Sequence, residues 1–504
     1  MASTEMRTVT AIAVAVMLVL AGCSQAPGTD TTTGPNATTQ GTQSTAAPGD
    51  GAAVVHPPDP DSDVLGWENG VWYNETINVT RSDGLNNSEM DAVVNRAMAR
   101  VEKIRQLEFE KKVPVKVVSR SEFKKNQQSQ KTPPKRRTFD NVKYEALMMV
   151  GESTDSIAVQ NRNTGSSVGG YYSPRKESIV VISNNESAPK MDEITLSQEL
   201  FHALQDQKYN LSTFDQRTRE DHNAVDGIVE GDGNYVDHLY EQRCKNAWKG
   251  TCLLPQNEGN GGGGGDLANI GPYLLKFQPY SDGPPFVKSV RQKGGWQAVN
   301  DLYQNPPAST EQVIHPKKYG ADAPADVSIR DTTSNGWQRL EPKGRPNYAK
   351  VGEAGIMSMF TYPTYESQGK TQIIPFNKFV NRKNGEPAKF DPLNYRSEPS
   401  AGWDGDRIAV YTNGRAAANE TGYVFKTKWD SRKDARQFVD TYERLLQYRD
   451  AKKVDDRANT WEVPQKNGFS DAFYVQQKGD TVVIVNAPSV GDLSDVHAGA
   501  APKQ

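Results

Sequence analysis

The segment Leu196–Gln207, "LSQELFHALQDQ", leaves little choice of local structure. Leu196, Leu200, Ala203 and Leu204 recur at helical spacing, which predicts a helix with that stripe against the core. Gln198 and His202 are four residues apart and share a second face, with Glu199 beside them. Glu230 follows His202 by 28 residues, inside "EDHNAVDGIVEGDGNYVDHLYEQR" (220–243), which reads as a second long helix weakened by three glycines. An antiparallel pair of helices would return Glu230 to the level of His202.

This arrangement carries metal chemistry. Two side chains one helical turn apart can grip one ion, and the carboxylate next to the first can take a proton from bound water, which is the logic of His-Glu-x-x-His. Glu199 is the expected base, His202 and Glu230 the expected ligands, and zinc the expected cofactor of a working centre. Gln198 stands at the first ligand position. A neutral amide oxygen is a poor donor to zinc, which prefers imidazole, thiolate and carboxylate. The competing expectation is a metal-free polar network in a retained scaffold. Other histidines offer little help. His222 and His238 are each eight residues, hence about 12 Å, from Glu230 along one helix. His56 and His497 lie near the ends, and His315 in "STEQVIHP" is either a cleft donor or a helix-end residue before Pro316. Asp206, Asp226 and Asp232 are either acceptors supporting His202 or helix-surface charges.

The N-terminus bears on location. "MRTVTAIAVAVMLVLAGC" (6–23) has a charged start at Arg7 and an apolar run too short to span a bilayer. It resembles a lipoprotein signal peptide (1–22) with Cys23 as the lipidated new N-terminus. Residues 23–65 are rich in Thr, Gly and Pro and have almost nothing to bury, so they read as a disordered tether with a reach of about 35–40 Å. The expectation is an exported chain, anchored to the membrane at its extracellular face. Sequons at Asn36, Asn74, Asn78, Asn86, Asn185, Asn210 and Asn419 are glycosylation candidates. Cys244 and Cys252, eight apart in an exported chain, are expected to form one disulfide. A net charge of −3 sets up no field for nucleic acid. The basic stretch 124–138 lacks interleaved aromatics and reads as an exposed loop.

Along the chain, "NSEMDAVVNRAMARVEKIRQLEFEKK" predicts a long helix capped by a Ser88–Asp91 box. Residues 113–118 and 177–183 read as strands, the latter with "GGYYSP" before it, and "FDNVKYEALMMVG" reads as a helix. "EGNGGGGGD" (258–266) is an expected flexible loop, and 284–316 suggests three short helices broken by Gly-Gly and Pro-Pro. "RIAVYTNG", "GYVFKTKW" and "AFYVQQKGDTVVIVN" are strand-like, with an amphipathic helix capped by Ser431 among them. The expected organisation is α+β: a domain over 66–345 built on the helix pair, a small C-terminal α/β module over 346–490, and a tail over 491–504.

Four segments carry a resemblance: "ELFHALQDQKYNL", "VEGDG", "GGWQAVNDLYQNPPASTEQVIHP" and "AGWDGDR". In that order they resemble a family of exported, largely uncharacterised proteins like the glutamate-type zincins, among them surface lipoproteins of haloarchaea. The resemblance spans about residues 66–490. It implies a zincin-like fold, with Glu199 as base and His202 and Glu230 as metal ligands. Its fuller members carry His where this chain has Gln198. The expected function is therefore a membrane-anchored surface lipoprotein with a degenerate or weakly metallated metallopeptidase fold, the alternative being an active zinc metallopeptidase at the cell surface. The expected partners are the membrane through the lipid anchor and a peptide or surface protein, not nucleic acid.

Overall fold

The computed structural model describes residues 58–504 except 81, 129–130, 184, 187, 249–251, 255–266, 415–419 and 466–467. The signal peptide, Cys23, most of the tether, Asn36, His56, the glycine loop 258–266 and Asn419 lie outside the described residues. No described helix is long and apolar enough to cross a membrane.

The architecture is mixed α and β. A two-stranded ribbon, β1 (Trp67–Glu68) and β2 (Val71–Trp72), leads into α1 (Asn87–Arg105). The capping box of α1 is formed by Asn86 and Glu89, two residues before the expected Ser88–Asp91 pair, and Ser88 donates to the Asn86 side chain. Next come β3 (Val115–Ser119), α2 (Arg120–Gln128), α3 (Pro134–Ala146), α4 (Ser156–Ser167), β4 (Gly170–Ser173) and β5 (Ser178–Ser183). The stretch 124–138 is thus largely the end of one helix and the start of another rather than a loop. The three strands form a sheet ordered β3-β5-β4, with β3 parallel and β4 antiparallel to the central strand, so β4 is an edge.

The edge strand lies against α5 (Glu193–Tyr209), which is capped by Asp192 and followed by α6 (Arg219–Asn246). Three glycines do not interrupt α6, because close packing recompenses their weak propensity. A Cβ on Gly227 would meet Val313 at 2.6 Å, and one on Gly231 would meet the Gly283 backbone at 2.7 Å. Gly283 belongs to α7 (Ile270–Asp301), which bends at Gly294–Gly295, and α8 (Thr310–Ile314) follows. The expected first short helix of 284–316 therefore begins at residue 270 and passes through three prolines. Asn223 donates to the Leu275 carbonyl, and Tyr280 reaches Glu230, so α6 and α7 run parallel.

The C-terminal part contains β6 (Trp337–Arg339), α9 (Gly352–Glu366), α10 (Phe376–Phe379), the small hairpin β7 (Arg382–Lys383) and β8 (Glu386–Pro387), then β9 (Trp403–Asn413) and β10 (Thr421–Trp429). After them come α11 (Arg432–Tyr448), β11 (Lys452–Lys453), β12 (Thr460–Glu462), β13 (Ala472–Lys478), β14 (Thr481–Ala487) and α12 (Leu493–Val496). The seven-stranded sheet is ordered β11-β12-β13-β14-β10-β9-β6 and is antiparallel throughout, so this region is an α+β layer rather than an α/β one. Phe438, Tyr442, Leu445 and Leu446 of α11 cover one face. Leu493, Val496, Ala500 and Ala501 are buried on the other, so residues 491–504 are a packed edge and not a loose tail. One apolar cluster joins Tyr144, Met149, Leu274 and Tyr280 to Phe425, Phe438 and Ile484, spanning both sides of the expected boundary at 345.

Candidate metal centre

The α5–α6 pair is antiparallel: Ser197 reaches Asp237, His202 meets Glu230, and Gln205 donates to the Val229 carbonyl. Gly233 makes the close approach feasible, since a Cβ there would lie 3.2 Å from His202 Cε1. The outer side of the pair is held by α1, whose three arginines point inward. Arg96 and Arg100 bind Glu193 at the first turn of α5, and Arg105 binds Asp232 on α6 at 3.0 Å. All of these side chains are buried. Removing one partner of such a pair typically costs about 3–5 kcal/mol, because the other charge is left alone.

At the centre, His202 Nε2 and Glu230 Oε2 are 3.3 Å apart, without the alignment of an N–H···O hydrogen bond. The two residues predicted to converge therefore do. His202 Nδ1 faces Gln205 Oε1 at 2.7 Å; Gln205 donates to Tyr303 Oη, and Tyr303 donates to Asp232. The partner orienting His202 is thus Gln205, three residues on, rather than an aspartate. Asp206 instead accepts from the Tyr172 hydroxyl, and Asp226 pairs with His222 at 3.0 Å. Glu230 Oε1 accepts from the Tyr280 hydroxyl at 2.7 Å. Glu199 Oε2 accepts from the Tyr172 backbone N–H on edge strand β4 at 2.6 Å, which leaves Oε1 without a partner. Gln198 is buried with neither amide atom partnered.

His238 engages Gln242, and His315 turns Nε2 to Glu353 at 3.0 Å, so His315 occupies a helix-end position and not the centre. His497 sits at the end of α12, beside Thr332. Cys244 and Cys252 are joined in a disulfide. Asn78, Asn86, Asn185 and Asn210 are exposed, whereas Asn74 is half-buried.

The electrostatics follow from burial. Burial alone would lower the His202 pKa, but the Glu230 carboxylate outweighs it and holds the imidazole up at about 10. Burial raises Glu199 to about 7; Glu230 adds to the rise, and His202 and the Tyr172 N–H oppose it.

As a zinc site the donor set is one ligand short. Two ligands about 2.0–2.1 Å from a tetrahedral zinc lie about 3.3–3.4 Å from each other, which the His202–Glu230 spacing matches. Gln198, at the first ligand position, supplies only an amide. Glu199, Gln198, His202 and Glu230 are each at most 1 % exposed, so the group is closed to a substrate. A surface groove of about 380 Å³ opens elsewhere, at the N-terminal end of α6, lined by Phe214, Val225, Pro306, Pro307 and Tyr348.

A family described as a domain of unknown function (DUF8575) matches residues 338–497, the region of the seven-stranded sheet. No curated protein matches the chain, and no solved structure does.

Proposed function

We propose that this chain is an exported, lipid-anchored surface protein that keeps a metallopeptidase-type helix pair as a structural centre and works by binding a peptide or protein partner rather than by hydrolysis. The observation that carries this reading is the closed centre. Gln198, Glu199, His202 and Glu230 are all at most 1 % exposed, and an amide occupies the first ligand position. In this state the protonated imidazole of His202 and the carboxylate of Glu230 neutralise each other, and Glu199 is spent on the edge-strand amide. The Cys244–Cys252 disulfide supports an oxidising location. Cys23 is the proposed anchor, and Cys23→Ser should release the protein from membranes into the medium.

Metal analysis of the full chain purified without chelator tests the reading. Well under one zinc per chain, with no peptide hydrolysis that Glu199→Gln abolishes, is the expected result. The spacing of 3.3 Å favours one rival, an active peptidase. A bound zinc would polarise a scissile carbonyl and acidify water. One zinc per chain, together with hydrolysis lost in Glu199→Gln, would establish that rival and end the binding-protein reading.

A further inference from the structure

Cations gather where the N-terminal end of α6 meets α3 and α7. Arg219 and His222 stand on the α6 stripe that continues through Asp226 to Glu230. Asn223 donates to the Leu275 carbonyl at 2.7 Å, which sets Lys276 of α7 beside that stripe. The Glu220 N–H donates to the Lys350 carbonyl at 3.2 Å, which holds the loop bearing Arg345 against the first turn of α6. Arg136, in the first turn of α3, acts on Arg345. Among the described residues, Arg136, Arg219, Lys276 and Arg345 have neither an ion-pair partner nor a side-chain hydrogen bond, and Arg219 Nε is buried without one.

These charges repel one another. Burial holds the Lys276 ammonium below its ordinary value and Arg219 adds to the effect, against Glu230 and Asp226. Burial also pushes the His222 imidazole well down, and Arg219, Lys276 and Arg345 push it further. Arg136 and Arg219 each lie at a helix start, where the helix end is positive and disfavours a cation. The nearby acids are engaged elsewhere: Asp140 pairs with Lys143, Asp221 with Lys350 and Asp226 with His222, and Glu220 accepts from Thr310.

We propose that Arg219, Lys276 and Arg345, with Arg136 beside them, form a site for an oxyanion, the carboxylate or phosphate group of a ligand. A guanidinium offers two parallel N–H donors that match either group, and the ammonium adds a point charge. An anion there answers charge that the fold leaves unbalanced. Arg345 is exposed and Arg219, His222 and Lys276 are half-buried, so a ligand reaches the cations without entering the closed centre. Pro346 and Tyr348, in the same loop as Arg345, line the groove of about 380 Å³, which places apolar surface next to the cations. The site holds whether or not the helix pair takes zinc.

Calorimetric titration of the full chain at constant ionic strength tests the site with two probes, inorganic phosphate and acetyl-dialanine, the latter against its C-terminal amide. Saturable binding with a Kd of about 1 mM or tighter is expected. Saturation by phosphate alone assigns the site to a phosphorylated ligand; saturation by the dipeptide acid, and not by its amide, assigns it to a peptide chain end. Arg345→Gln, at an exposed position that spares the fold, should weaken binding about tenfold. Lys433→Gln removes the same charge at an exposed position on α11 and should change nothing. Lys276→Met should weaken binding and yet raise the melting temperature of the ligand-free chain, because it keeps the apolar stem and removes an unbalanced cation. Saturation by neither probe at about 10 mM, equal weakening in Lys433→Gln and Arg345→Gln, or a lower melting temperature in Lys276→Met would each overturn the site.

Discussion

Glu230→Gln isolates the charge at the centre. The substituted side chain keeps an oxygen for the Tyr280 hydroxyl and nearly the same volume, so the change is the loss of the anion facing His202. The His202 pKa stands at about 10 against an ordinary 6.5, mainly because Glu230 overcomes the penalty of burial. At about 1.36 kcal/mol per pKa unit this corresponds to about 5 kcal/mol. Broken buried pairs lose about 3–5 kcal/mol, which sets the expected destabilisation. A folded value above the unfolded one means that the stabilisation is complete below pH 6.5 and disappears as pH rises through about 10. Urea unfolding of the chelator-treated chain at a series of pH values measures both quantities. The parent should lose stability between pH 7 and 10, and Glu230→Gln should be weaker at pH 7 with that slope flattened. A loss below about 1 kcal/mol, with the slope intact, would show that His202 is not held charged by Glu230.

Three further outcomes follow from other contacts. Gln198→His should supply the missing imidazole and raise zinc affinity by at least about tenfold in a competition titration with a chromophoric chelator. Because His202 must shed its proton to bind, that affinity should climb with pH between 7 and 10. Glu199 has a folded value of about 7 against 4.5, so its contribution to stability is greatest below pH 4.5 and falls as pH rises to about 7; Glu199→Gln should remove that fall from an unfolding series. Replacing Cys244 and Cys252 by serine opens a loop of eight residues, and chemical denaturation should register a loss of about 2–3 kcal/mol.

How far the sequence could lead depended on whether a signal was local and periodic. The stripe Leu196, Leu200, Ala203, Leu204 and the four-residue spacing of Gln198 and His202 are such signals, and α5 follows them. The 28-residue step to Glu230 sufficed to place a carboxylate opposite His202, because the two helices turn back through a short linker. Gln205 was also within reach, being three residues from His202 on the same helical face. Tyr280 and the Tyr172 N–H come from α7 and an edge strand, and no spacing in one chain fixes their register. The stretch 124–138 failed for a different reason. Its composition is polar throughout, yet Pro133 and Pro134 mark the start of α3, a positional signal that outweighs the lack of an apolar stripe. The C-terminal end likewise holds only Leu493, Val496 and a few alanines, too sparse a pattern to reveal that the sheet buries them.

The closure of the centre is written in the glycines of α6. Gly227 and Gly231 are one turn apart; the first lies against Val313 and the second against the Gly283 backbone, whereas Gly233 lies against His202. A methyl at residue 231 would sit 2.7–2.8 Å from main-chain atoms of α7 that no rotamer change can move, so α7 must retreat. Retreat stretches the bond from Tyr280, on the same helix, to Glu230 and opens a path to His202. Gly231→Ala should therefore cost about 1–3 kcal/mol by overpacking despite alanine's better helix propensity. It should also make His202, which is 0 % exposed in the parent, available to an imidazole-modifying reagent. Mass spectrometry of the modified peptide reads the second effect directly. If Gly231→Ala is as stable as the parent and His202 stays unmodified, the helices are not locked by that contact. The hidden centre would then owe its closure to something other than glycine-fitted packing.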